Sequence, residues 1–198
     1  MKIAFKILNN RSIAVIFFLV CISYSNLLAQ EINNPVIRGD WSDPALLKVD
    51  NDYYCLRSTF GWQPGLSLMH SKDLVHWEYV ANVDTEPVSL IKPGETLNGV
   101  WGAEFGYNPN TGQFLIYAPV KAGEKPGIHV FCADSAEGPY LHIGWISDMI
   151  DPGFFVDEDS AIYYTNSSGI IYLLSADGFS IKKEVGRRPD INDRVSGE

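Results

Sequence analysis

The stretch Trp41-Ser42-Asp43-Pro44-Ala45-Leu46-Leu47-Lys48-Val49-Asp50-Asn51-Asp52-Tyr53-Tyr54-Cys55-Leu56 decides the fold, because its plan recurs twice more along the chain. It opens at Asp43-Pro44, turns at Asp50 to Asp52, and continues as the apolar run Tyr53 to Leu56. It then passes from Leu66 through Met69 to Ser71-Lys72-Asp73. A second unit opens with Val100-Trp101-Gly102-Ala103, turns at Asn108 to Gly112, and follows with Phe114 to Tyr117 and Ile128 to Cys132. A third opens with Ile150-Asp151-Pro152-Gly153, turns at Asp157 to Ser160, and follows with Ile162 to Tyr164 and Ile170 to Asp177. Asp43 lies 58 positions before Trp101, and Trp101 lies 50 before Asp151. A repeat of this length built from short strands is the signature of a β-propeller, in which each unit is a four-stranded blade whose first strand lines a central channel.

The remainder of the chain agrees with an all-β domain. Beyond residue 29 no long stripe of helical period occurs, and runs rich in Tyr, Phe, Val and Ile alternate with turn clusters such as Pro64-Gly65, Pro93-Gly94 and Ser167-Ser168-Gly169. With 46% apolar and 20% charged residues, the 198-residue chain has the profile of a globular domain. Its 15 Lys and Arg against 24 Asp and Glu give a net charge of −9, which leaves no basic footprint for nucleic acid or an anionic membrane.

At the N-terminus Lys2, Lys6 and Arg11 precede an apolar run from Ile13 to Ile22. That run is too short to span a bilayer, which needs about 20 residues, and reads as the core of a secretory signal peptide over residues 1–29. Cleavage after Ala29 would leave Gln30 first and a still more acidic domain over 30–198, secreted or periplasmic. The alternative is an uncleaved anchor. Cys55 and Cys132, each inside an apolar run, suit buried thiols as well as a disulfide. His70, His76, His129 and His142 lack the spacing of a metal site, so no metal or cofactor is expected, and nothing specifies an oligomeric state.

Asp43, Trp101 and Asp151 all stand at unit starts, so a propeller would bring them to the channel. Asp-Pro is also a common turn dipeptide, and Trp101 could simply be core. Two carboxylates at matching repeat positions argue otherwise, since like charges converge unfavourably unless something uses them. Asn166-Ser167-Ser168 matches a glycosylation acceptor, a motif short enough to arise by chance.

The segment Asn34 to Pro44, with Ser58-Thr59-Phe60, Pro64-Gly65, His70-Ser71-Lys72-Asp73-Leu74-Val75-His76-Trp77, Gly99-Val100-Trp101 and Glu137-Gly138-Pro139-Tyr140, resembles glycoside hydrolase family 43. The likeness continues through Asp151-Pro152, Phe154-Phe155 and Asp157-Glu158-Asp159. It implies a five-bladed β-propeller of which about three blades are present here. It also implies inverting hydrolysis of pentose glycosides in plant polysaccharides, of xylosidase or arabinofuranosidase type. By the same resemblance Asp43 would be the general base and Asp151 the carboxylate that orients the acid and raises its pKa. Phe60 and Trp101 would wall the sugar subsite, and Glu104 would also reach the sugar. A channel calcium ion is compatible with the family, though no residue pattern indicates one.

The sequence departs from the family pattern at Trp41-Ser42 and at Gly102-Ala103, where Ala-Pro is usual after the tryptophan. The family's acid, a Glu before Gly-Pro, opens the fourth blade. Glu198, 47 positions beyond Asp151, is either that acid or a terminal residue. Three blades cannot close a ring, so an incomplete gene product is expected. The competing readings are an endo-acting arabinanase, more distantly a sucrose-cleaving enzyme of the same propeller kind, a sugar-binding fragment that keeps Phe60 and Trp101 without turnover, and a product without activity.

Overall fold

The second unit carries long apolar runs, Phe114 to Ala118 and, broken only by His129, Ile128 to Cys132. Such runs mark strands covered on both faces. The computed structural model, which describes residues 32–62, 64–84, 99–121 and 125–188, is built in this way. Among the described residues the regular elements are twelve strands, all within the unit Pro35–Glu198. The expected signal peptide, Gln30 and Glu198 lie outside the described residues.

The strands form three antiparallel four-stranded sheets, each in simple meander order. The first holds β1 (Ala45–Val49), β2 (Asp52–Ser58), β3 (Gly65–Ser71) and β4 (Glu78–Asp84). The second holds β5 (Glu104–Asn108), β6 (Gln113–Val120), β7 (Gly127–Ala133) and β8 (Leu141–Ser147). The third holds β9 (Gly153–Val156), β10 (Ile162–Thr165), β11 (Ile170–Leu174) and β12 (Ile181–Arg187). Strand β5 touches β1 on one side and β9 on the other, so the sheets fan out from a row of first strands, as propeller blades do.

Two cores lie between the sheets. Phe114, Ile116, Ala118 and Val120 of β6 project from one face and pack with Leu56, Leu66, Leu68 and Val83 of the first sheet. Leu115 and Tyr117 project from the other and pack with Ile162, Tyr164 and Leu174 of the third. The alternation follows from the two-residue period of a strand. Polar ties reinforce the second seam: the fully buried Asn108 donates from Nδ2 to the Ala176 carbonyl at 2.9 Å, and the fully buried Tyr117 hydroxyl donates to the Gly178 carbonyl at 2.9 Å. The tight approach of Gly178 to Tyr117 needs its missing side chain and its φ of 82°.

Cys55 and Cys132 are buried free thiols, their pKa values pushed up by burial, which settles the disulfide alternative. Asn166 is also buried, donating from Nδ2 to the Tyr164 hydroxyl and accepting from the Ser168 amide, so the sequon is a structural turn.

Replacing Tyr117 with Phe leaves the Gly178 carbonyl unpaired inside the second seam. Such an orphaned group costs about 1–3 kcal/mol. The urea midpoint of Tyr117→Phe is therefore expected to fall with an unchanged denaturant slope, and an unshifted midpoint would show that the bond ties nothing.

Candidate functional site

Asp43 and Asp151 each stand two residues before the first strand of their sheet, and each adopts a left-handed backbone, with φ of 48° and 54°. A residue before proline is normally extended, so the same departure in two repeats is unusual. Both side chains are exposed. Phe60, in the β2–β3 loop, is the third candidate residue in this region, with φ of 52°. For a bulky residue that conformation is an outlier, and such strain clusters at functional sites.

The Phe60 backbone is held across the seam to the second sheet. Its carbonyl accepts from the Val100 amide at 3.1 Å, and the two residues form an isolated antiparallel bridge. A Cβ at Gly99 would lie 1.9 Å from that carbonyl, so only glycine admits the approach. Val100 in turn bridges Val120, and the Trp101 amide donates to the Pro119 carbonyl at 2.9 Å. The Lys121 ammonium sits 4.7 Å from the Trp101 ring centroid, a cation–π contact that holds the indole. Phe60 and Trp101 are thereby fixed as neighbours.

Asp43 joins them through Gly102. A Cβ built on Gly102 would fall 2.6 Å from the Asp43 Cβ and 3.4 Å from its Oδ2, so the aspartate side chain rests in the space that glycine leaves. The structure brings Asp43, Phe60 and Trp101 to one seam. Asp151 is held by its own sheet instead: the carbonyl of the preceding Ile150 accepts from the Ser167 amide at 2.9 Å.

Glu104, the first residue of β5, is half-buried at a groove of about 480 Å³ that it shares with Phe154, Phe155, Tyr163 and Thr165. Phe154 lies over Gly106, where any Cβ would meet its ring at 2.2 Å. Burial pushes the Glu104 pKa above its ordinary 4.5, opposed by the Phe105 amide, which donates to Oε1 at 3.0 Å. Among the described residues no three His, Cys, Asp or Glu side chains converge as a metal site. Sequence reasoning missed Lys121 and the fit of Gly102 to Asp43, since both are contacts between blades or loops; the glycines beside Trp101 were the visible signal.

A carboxyl whose folded pKa is raised binds its proton more tightly in the native state, so stability is greatest at low pH and falls as pH rises from about 4.5 through the folded value. Glu104→Gln removes this slope. Its thermal midpoint is expected to vary less than that of the unmodified chain between about pH 4 and 7; parallel curves would place Glu104 in water.

The family model for Glycosyl hydrolases family 43 matches residues 32–185. A beta-xylosidase of Bacillus subtilis is 41% identical over 143 residues, which cover 69% of this chain and 26% of that protein. Xylosidase/arabinosidase 43B of Humicola insolens is 32% identical over 144 residues, covering 69% and 26%. The crystal structure of the GH43 protein BlXynB from Bacillus licheniformis superposes with a TM-score of 0.66 at 29% identity, covering 79% of this chain and 34% of that one. The chain spans about a quarter of the length of these curated relatives. With its three propeller-like sheets and a match over most of its length, the chain belongs to glycosyl hydrolase family 43.

Proposed function

We propose that this protein is a secreted or periplasmic hydrolase of xylose- or arabinose-containing plant saccharides, working by inversion, and that the residues described here form the base-bearing side of its site. The observation that carries the reading is the seam at which Asp43, in a strained backbone, lies against Gly102 beside Trp101 and Phe60. The xylosidase and xylosidase/arabinosidase names of the relatives support the substrate class.

The chemistry asks for little more on this side. Phe60 and Trp101 offer flat faces against the apolar faces of a pentose ring, while polar groups set its orientation. Asp43 takes a proton from water as that water attacks the anomeric carbon, and the bond to the leaving oxygen breaks as a carboxylic acid across the sugar protonates it. Inversion requires the two carboxyls to stand about 6.5–9.5 Å apart. Asp151, one blade further on, is assigned the task of keeping that acid protonated through like-charge repulsion.

Asp43→Asn keeps the shape of the side chain and removes its basicity. Hydrolysis of aryl xylosides and arabinofuranosides should fall about 10²–10⁴-fold in kcat while sugar binding persists. Near-normal turnover would sink the assignment, and a parent chain that binds pentosides without turnover would be a sugar-binding module. Gly102→Val puts a branched side chain into the space that the Asp43 side chain occupies. A displacement of the base by about 1 Å costs about 10²-fold in turnover. An active Gly102→Val with native stability would show that the contact with Gly102 does not position the base.

A further inference from the structure

Between Pro35 and Pro44 the chain forms no strand, so the segment that delivers Asp43 lacks the ladder of hydrogen bonds that fixes the rest of the first sheet. Its C-terminal end is held where β1 begins, since Ala45 pairs with Leu56 of β2. Its other end is held by the next residue of β2. Arg57 donates from Nη1 to the Asp40 carbonyl, and its guanidinium carbon lies 4.7 Å from the Trp41 ring centroid. The Trp41 indole donates in turn from Nε1 to the Arg38 carbonyl at 3.3 Å, across a turn that Gly39 allows with its φ of 109°. Two adjacent residues of β2 thus grip both ends of the bend 41–44, and Asp43 stands inside it.

The bend needs that grip. Asp43 is exposed, has a φ of 48° and precedes a proline, which favours an extended backbone instead. A strained residue keeps such a conformation only where its surroundings over-determine it. On the N-terminal side Arg57 is the residue that supplies this. Its side chain holds its place against a cost, because Nε is buried with no hydrogen-bond partner among the described residues, and an orphaned donor of a charged group is unfavourable. The contacts that offset the cost, the Asp40 carbonyl and the Trp41 ring, both belong to the entry segment.

We infer that Arg57 is a positioning residue for the base: through the Asp40 carbonyl and the Trp41 ring it holds the bend 41–44, and so sets where the Asp43 carboxylate stands against the sugar without touching the sugar itself. This inference rests on the pentosidase reading above and deepens it.

Arg57→Met keeps the length of the side chain and removes both contacts. In the full chain its kcat on aryl xylosides and arabinofuranosides should fall about tenfold or more, since a base misplaced by about 1 Å costs about 10²-fold. KM should stay within about twofold, because Phe60 and Trp101 are untouched. Arg57→Lys, which keeps a cation over Trp41, should recover part of the loss. Trp41→Phe attacks the clamp from its other side by removing the bond to Arg38; it should also lower kcat and spare KM, and it decides the matter if Arg57→Met fails to fold. A double-variant cycle separates positioning from general support. In an Asp43→Asn background the base is already gone, so Arg57→Met, or Trp41→Phe in its stead, should lower turnover no further. An equal loss in both backgrounds, or native turnover in the single variant, overturns the positioning role while the pentosidase reading stands. A parent chain that hydrolyses neither glycoside overturns both.

Discussion

The middle sheet is covered on both faces, and everything at the candidate site depends on that. Strands β6 and β7 send alternate residues into two separate cores, one shared with each neighbouring sheet. Burial of this kind is worth about 25 cal/mol for each Å² of apolar surface removed from water, and it is the only force here large enough to hold three meanders in fixed relation. Its consequence is geometric. With β1, β5 and β9 in a row, the seam between the first two sheets sets Asp43 against Gly102, 59 positions later in sequence.

That arrangement explains how strained backbone persists at the site. A left-handed conformation at a non-glycine residue costs of order 1–3 kcal/mol and survives only where its surroundings over-determine it. At Phe60 the surroundings are identifiable: the Val100 amide on its carbonyl, and Gly99 giving room for the approach. The bond crosses from the first sheet to the second, so the strain at Phe60 is sustained by the same seam that the first core stabilises. The candidate site and the first core thus share one seam.

The second and third strands of each unit were legible because they are the most buried. Phe114 to Tyr117 and Ile128 to Cys132 announce themselves as apolar runs, and the turns between them as clusters of Asn, Asp and Gly. The fourth strands were not. β12, with the sequence IleLysLysGluValGlyArg over 181–187, is exposed along almost its whole length, and β8 begins with three exposed residues. An outer strand with no buried face has no period to read, and its existence follows only from the hydrogen bonds that the third strand offers it. Asp43 and Asp151 could be singled out as candidates because the repeats align them. Lys121 against Trp101, and Arg57 against Trp41, are pairings that chain folding creates and no local pattern encodes.

The same alignment gives the repeats a further meaning. The position two residues before the first strand is Asp43 in the first sheet, Gly102 in the second and Asp151 in the third. Any side chain at Gly102 would begin 2.6 Å from the Asp43 Cβ, and a third aspartate would add like-charge repulsion to that crowding. The glycine leaves both out. The repeat is therefore least regular where the first and second sheets meet, because the second unit keeps no side chain at the position into which the first unit's aspartate projects.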